Sequence, residues 1–383
     1  MTGPAGPREA PGAPTAAAAW RFVVLMGVVA MFGDMTYEGA RGLVGAYLGA
    51  LGASAAAVGF AAGLGEFLGY GLRLASGWLA ERTRAYWPIT FLGYAINLVA
   101  VPGLALTGRW EAALALLLLE RVGKAVRSPA RSTLVSFAAR AVGPGKSFGL
   151  EEALDQLGAV SGPLLALLAM RLSGAAGEAD RYRAGFAVLL LPVVANLGTL
   201  ALARRTFPHP ETFEPEAAPG ADPSAGLGGS FRMAVLAAAL VGLGFADWAL
   251  VAYHATRTGL LHARGLALVY ALAMGADGLA ALAFGWLFDR IGLRALALAA
   301  LASAAFAPLV FLGSSPALFC AGVLAWSAGM GAQESIFKAA IATLVPREQR
   351  SRAYGVFFAL FGLAWWAGSA AMGALYDRSI PAL

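Results

Sequence analysis

The sequence predicts an all-α polytopic membrane protein built from two related helical bundles. Three observations carry that prediction. Of 383 residues, 59% are hydrophobic and only 13% charged, whereas soluble domains carry roughly a quarter charged residues. Mean hydropathy is +0.69, and apolar runs of about 20 residues, the length a helix needs to cross a bilayer, follow one another along the chain. The third observation is a repeat. GWLFDRIGLR at Gly285–Arg294 echoes GWLAER at Gly77–Arg82, and aligning the two brings FGD at Phe32–Asp34 close to FAD at Phe245–Asp247. Membrane-spanning strands would be about 10 residues long and alternating; these runs are neither.

Taken in order, residues 1–19 are mostly Pro, Gly and Ala and read as a disordered tail. The run from Trp20 is too long for a signal peptide and counts as the first span. Helices are expected at 20–51, 54–80, 86–107, 111–139, 147–172 and 182–203, forming an N-terminal bundle over 20–203. Residues 204–230 contain Pro208, Pro210, Pro215, Pro219 and Pro223 and read as a flexible cytoplasmic linker. A C-terminal bundle over 231–383 follows, with helices at 231–256, 264–289, 293–313, 316–345 and 350–377. Basic residues concentrate in the connections on the linker side, including Arg82, Arg140, Lys146, Arg204, Arg290 and Arg347. The positive-inside rule therefore puts the N-terminus and linker in the cytoplasm of a multi-pass plasma-membrane protein. The net charge of +6 is explained by that topology, and no nucleic-acid partner is expected. The single cysteine, Cys320, excludes an intramolecular disulfide framework and a thiolate metal cluster.

The loop motif now becomes specific. The chain resembles the major facilitator superfamily of secondary transporters over about residues 20–377. The family's loop signature, Gly-x-x-x-Asp-Arg-x-Gly-x-Arg, is met at Gly285, Asp289, Arg290, Gly292 and Arg294. The first copy keeps Gly77, Glu81 and Arg82 but has Arg84 where the second glycine belongs. A pattern that the family associates with antiporters appears on the fifth helix as Gly149, Gly158, Gly162 and Pro163, without the two glycines that usually follow. The resemblance implies two pseudo-symmetric bundles with alternating access. It also implies twelve helices, so the twelfth is expected to be missing from this 6 + 5 arrangement. In the loop motif the carboxylate is expected to cap a helix end and pair with arginine, a contact that a gate makes in one state and breaks in the other. The glycines of the fifth helix suit close helix packing at least as well as gating.

Ionisable residues deep inside spans cost about 2.5–3.5 kcal/mol each at a helix centre, so they turn toward a cavity or a partner. Asp34 and Glu38 lie one turn apart on the first helix, and Asp247 has the matching place in the second half. Glu66 and Asp277 fall at similar depths on the second and eighth helices. Burial favours the protonated form of a carboxylate, which is the chemistry of proton coupling. The fourth helix opposes them with Arg121, Lys124, Arg127 and Arg131 on one face, and Arg121 resembles the family's arginine of that helix. Glu151 and Asp155 are expected to neutralise part of the stripe, and Glu334 and Lys338 to pair at i,i+4. These residues suit a proton-coupled antiporter exporting a small amphipathic or cationic solute, driven by a proton gradient and needing no cofactor. Asp34 and Glu38 would bind proton or cation, with Arg121 tuning them. The alternative is a carrier for an anionic metabolite, with Arg121 and Lys124 as its anion site. A non-transporting sensor is a minor alternative. No nucleophile–base pair, metal-ligand spacing or phosphate loop marks an enzyme. A monomer in the lipid bilayer is expected.

Overall fold

A computed structural model describes residues 15–214, 227–261 and 263–382. Most of the expected tail and much of the expected linker lie outside the described residues, as does the side chain of Glu66. Among the described residues there are fourteen α-helices and no strand.

In the first half these are α1 (Ala16–Ala50), α2 (Ala55–Thr83), α3 (Tyr86–Gly103), α4 (Trp110–Val142), α5 (Pro144–Leu172), α6 (Glu178–Val188) and α7 (Leu190–Thr206). The second half holds α8 (Gly229–Leu243), α9 (Trp248–Arg257), α10 (Ala263–Ile291), α11 (Arg294–Ser303), α12 (Phe306–Phe311), α13 (Pro316–Leu344) and α14 (Arg350–Arg378). Three expected spans are each divided in two, which reduces fourteen helices to eleven passages. The divisions have local causes. Pro192 and Pro308 lack the N–H that would bond Val188 and Ala304, and the helix is interrupted just there. The third division, Gly244–Asp247, follows Gly242 and Gly244. α1 starts four residues before the expected Trp20, because Thr15 caps it by accepting a hydrogen bond from the Ala18 N–H at 3.2 Å.

Seven passages among the described residues are long and apolar enough to cross a membrane. Large aliphatic side chains such as Leu164, Leu167 and Leu168 of α5 point outward, as lipid contact requires. The linker end of the bundle is shared: one core joins Phe22, Leu98 and Phe148 of the first half to Phe288, Ile336 and Tyr354 of the second. At the opposite end the halves keep separate cores. One packs Tyr47, Leu104 and Phe186, the other Val251, Phe311 and Phe319, with Val160 the first-half residue against the latter. The molecule is thus closed on the face carrying the linker.

Candidate functional site

The closed face is held along two helix crossings built on glycine. α2 meets α14 where a Cβ on Gly77 would sit 2.5 Å from the Ser351 carbonyl oxygen and 3.0 Å from the Gly355 Cα. α5 meets α10 where Gly145 faces Gly285, and Gly149 faces Ala281. Gly158 and Gly162 serve a different contact, packing on Met31, Met35 and Gly39 of α1 within the first half. The fifth-helix pattern therefore divides: Gly149 lies on the seam between halves, and Gly158 and Gly162 pack α5 on α1. Pro163 continues the same helix.

Both copies of the loop motif sit on this seam, and both send the carboxylate across it. Asp289 Oδ1 accepts from the Gly145 N–H at 2.7 Å and Oδ2 from the Lys146 N–H at 2.9 Å. Asp289 is therefore an N-cap supplied by the other half, satisfying first-turn donors of α5 and meeting its positive dipole end. The matching Glu81 lies 3.5 Å from Arg352, in the first turn of α14. The motif arginines do something else. Arg290 lies over Trp286 at 3.6 Å and Arg82 over Trp78 at 5.3 Å, so each stacks on an aromatic one turn back instead of pairing with its neighbouring carboxylate. Gly292 ends α10 at φ +63°, and Arg294 opens α11. Arg84 takes the left-handed conformation of the glycine it replaces, at φ +52°.

Above the seam is a buried group of charges. Lys338 Nζ lies 3.2 Å from Glu152, 3.5 Å from Glu334 and 3.7 Å from Glu151. The first and last of these belong to the opposite half. Arg131 pairs with Glu151 at 3.3 Å, and Arg127 lies over the Tyr94 ring at 4.2 Å. Asp277, 1% exposed, is within electrostatic reach of Glu152, Glu334 and Lys338. Asp155 is within reach of Asp34 and Arg131. Asp155 Oδ1 and Asp277 Oδ1 receive no hydrogen bond from the described residues. Six carboxylates (Asp34, Glu151, Glu152, Asp155, Asp277, Glu334) thus gather around three cations, Arg127, Arg131 and Lys338.

Farther toward the opposite face is a second polar group. Tyr37 of α1 carries Lys124 over its ring at 3.9 Å and Arg121 at 5.2 Å. Arg121 also lies 3.5 Å from Glu120, which accepts from Asn97 at 2.7 Å. Glu38 pairs with Arg41 at 3.1 Å. Both lie within electrostatic reach of Tyr270 in the second half, as does Asp247. Asp247 occupies the interruption between α8 and α9, where Trp326 Nε1 donates to the freed Ala246 carbonyl at 2.8 Å. Trp248 packs at a tilt against Tyr270 and Trp326, with centroids 4.8 and 5.8 Å apart, which lines this side with aromatic rings.

Asp34 and Arg121 therefore belong to different groups. Asp34 lies within electrostatic reach of Asp155 and Arg131, whereas Glu38 and Arg121 share the group around Tyr37. Sequence reasoning missed Glu120 and Glu152, each adjacent to a residue it singled out. Their signal was the same one, a carboxylate deep in an apolar helix. Among the described residues no three His, Cys, Asp or Glu side chains group to hold a metal ion.

Two helical bundles, closed against each other on one face by glycine crossings and with their buried charges turned to the seam, define a polytopic membrane transporter. The Major Facilitator Superfamily profile matches residues 252–380. An uncharacterized protein of Mycobacterium tuberculosis is 41% identical over 372 residues, covering 96% of this chain and 90% of its own. The fold is similar to a bacterial homologue of the iron transporter ferroportin in an outward-facing state (TM-score 0.71, 16% identity, 94% and 93% of the two chains). It is equally similar to a human organic anion transporter (TM-score 0.71, 14% identity, 94% of each chain). The chain belongs to the major facilitator superfamily and is a membrane transport protein.

Proposed function

We propose that this transporter exports a small organic solute in exchange for protons, alternating between a state closed on the linker face and one open there. The observation that supports this is Lys338, held between Glu151 and Glu152 of one half and Glu334 of its own. A buried cation surrounded by carboxylates of both halves ties closure of the face to their charge. Protonation of Glu152, with Asp277 and Asp155 beside it, removes part of the attraction that keeps Lys338 across the seam. Opening then exposes the group to the linker side, where the proton leaves. By the positive-inside rule that side is the cytoplasm of a plasma-membrane protein, so inward proton flow would drive the solute outward. The aromatic wall of Trp248, Tyr270 and Trp326 with Asp247 and Glu38 suits an amphipathic or cationic solute.

The test uses purified protein with Cys320→Ala and a reporter cysteine, Ser351→Cys, at the seam. Labelling by a charged maleimide should accelerate from pH 8 to pH 6, relative to an exposed reference cysteine that corrects for thiolate content. Glu152→Gln should flatten that dependence. A wild-type profile unchanged by Glu152→Gln refutes the coupling.

A second reading, transport of an anionic solute, is favoured by Lys124 and Arg121 over the Tyr37 ring. Thermal unfolding with pools of organic cations and organic anions separates the two. A ligand at 100 times its Kd stabilises by about 2.7 kcal/mol. Stabilisation by cations lost in Glu38→Gln supports export of a cation; stabilisation by anions lost in Arg121→Gln supports the second reading.

A further inference from the structure

The segment that leaves α7 is fixed to the first half. The Phe207 ring packs on Phe22 with centroids 5.5 Å apart, and Phe213 packs on both, at 5.7 and 6.0 Å. Trp87 Nε1 donates to the Pro208 carbonyl at 3.2 Å, and residues Pro210–Phe213 form a 3-10 turn. The next residue, Glu214, reaches the other half. Its carboxylate takes two hydrogen bonds from Arg350 at the start of α14, one of them 2.7 Å long, and lies 3.4 Å from Arg140 of α4. Its backbone carbonyl accepts from Arg347 at 3.1 Å. Arg350 is 1% exposed, and among the described residues its other hydrogen bonds go to the Val345 carbonyl at 3.1 Å and the Ser136 hydroxyl of the first half at 3.3 Å.

We infer that residues 207–214 are a strap holding the linker face shut, with the Glu214–Arg350 fork as its buckle. Three features give the fork this role. One end of the strap is anchored in aromatic packing on α1 and α3, so the carboxylate is delivered at high effective concentration. The fork joins a chain segment of one half to a buried arginine of the other, and a bidentate carboxylate–guanidinium pair is among the stronger polar contacts. Opening the face must carry Arg350 away from Ser136 and Arg140, which leaves Glu214 either following α14, against its aromatic anchor, or releasing it. Releasing it breaks a bidentate charge-assisted pair, which is about twice as strong as a neutral hydrogen bond. The strap therefore biases the transporter toward closure on this face, whatever the solute and whatever the coupling ion. A cavity of about 580 Å³ beside the fork, lined by Arg140, Phe213, Arg347 and Arg350, leaves room for the strap to shift.

The test needs no substrate. In the full chain with Cys320→Ala and Ser351→Cys, the reporter side chain is buried at the α4–α14 contact, where Ser351 meets Thr133 at 2.8 Å. Glu214→Gln should raise its rate of labelling by a charged maleimide at least tenfold, a shift of about 1.4 kcal/mol. Phe213→Ala, which loosens the anchor and leaves both charges in place, should raise it in the same direction. Gly123→Ala, which strains a contact inside one half, should leave it unchanged. Should Glu214→Gln fail to fold, Glu214→Gln with Arg350→Gln removes both charges and is read in the same way. Wild-type labelling rates in the folded Glu214→Gln and Phe213→Ala proteins, or in the double variant, would overturn the strap.

Discussion

The contact between Gly145 and Gly285 makes the sharpest prediction about alternation. A Cβ on Gly285 would lie 2.2 Å from the Gly145 carbonyl oxygen and 3.3 Å from the Gly149 Cα. Carbon and oxygen need roughly 3.3 Å, so α5 and α10 must part by about 1 Å, a displacement that forfeits much of the dispersion energy along the crossing. Overpacking of this kind costs about 1–3 kcal/mol, and the two helices belong to opposite halves. The cost therefore falls on the state closed at the linker face and not on the state open there. Gly285→Ala should raise the open population roughly 5- to 150-fold. Gly123 provides the contrast. A Cβ there would lie 2.3 Å from the Asn97 nitrogen, with both partners in the first half and together in every state. Gly123→Ala should lower the melting temperature without altering accessibility. The assay is the labelling rate of Ser351→Cys set beside thermal unfolding of the same samples. Equal labelling rates in the two variants would refute the claim that the α5–α10 crossing opens.

Three further predictions rest on single contacts. Asp289→Ala removes the cap that α10 supplies to α5, worth about 0.5–2 kcal/mol, and should raise the Ser351→Cys labelling rate about 2- to 30-fold. Lys338→Met leaves Glu152 and Glu334 facing each other without their cation and should cost about 3–5 kcal/mol of stability; adding Glu152→Gln should recover part of the lost melting temperature. Arg84→Gly relieves a left-handed conformation worth about 1–2 kcal/mol against a glycine entropy cost of about 0.5–1 kcal/mol, so its melting temperature should rise by about 2 °C.

Spans were legible in the sequence because hydrophobic length is a one-dimensional property. The loop motif was legible because two copies stood at matching offsets. Its chemistry was half legible: Asp289 caps a helix as expected, but the cap lies in the other half and the arginines stack on Trp78 and Trp286. Helical periodicity says which residues share a face, not which face of another helix they meet. Glu334 and Lys338 were therefore recognisable as a pair four residues apart, whereas Glu151 and Glu152, nearly 190 positions from Lys338, were not recognisable as its partners. The same limit led to reading Asp34 against Arg121. Both lie deep in apolar helices, but α5 brings Asp155 to the one and Tyr37 lies over the other. The expected linker was read from its prolines amid Glu, Gly and Ala, a composition that does not disclose the packing of Phe207 and Phe213 on Phe22.

On the proposed reading of solute–proton exchange, the separation of the two polar groups bears on how slipping is avoided. If one carboxylate bound both proton and solute, competition at that atom would suffice for exchange. Here the carboxylate-rich group around Lys338 adjoins the closed seam, while Glu38, Arg121, Asp247 and the aromatic wall lie toward the opposite face. Communication between them must then pass through an element that belongs to both. α1 is such an element, carrying Asp34 in one group and Tyr37 and Glu38, one turn on, in the other. It packs on α5 through Gly158 and Gly162, so a shift of α5 at the seam moves α1 with it. On the proposed reading, charge change at Glu152 is felt at Glu38 through the α5–α1 contact. A larger side chain at Gly162, whose Cβ would collide with the Met35 carbonyl, should therefore uncouple ligand stabilisation from pH while leaving both groups chemically intact.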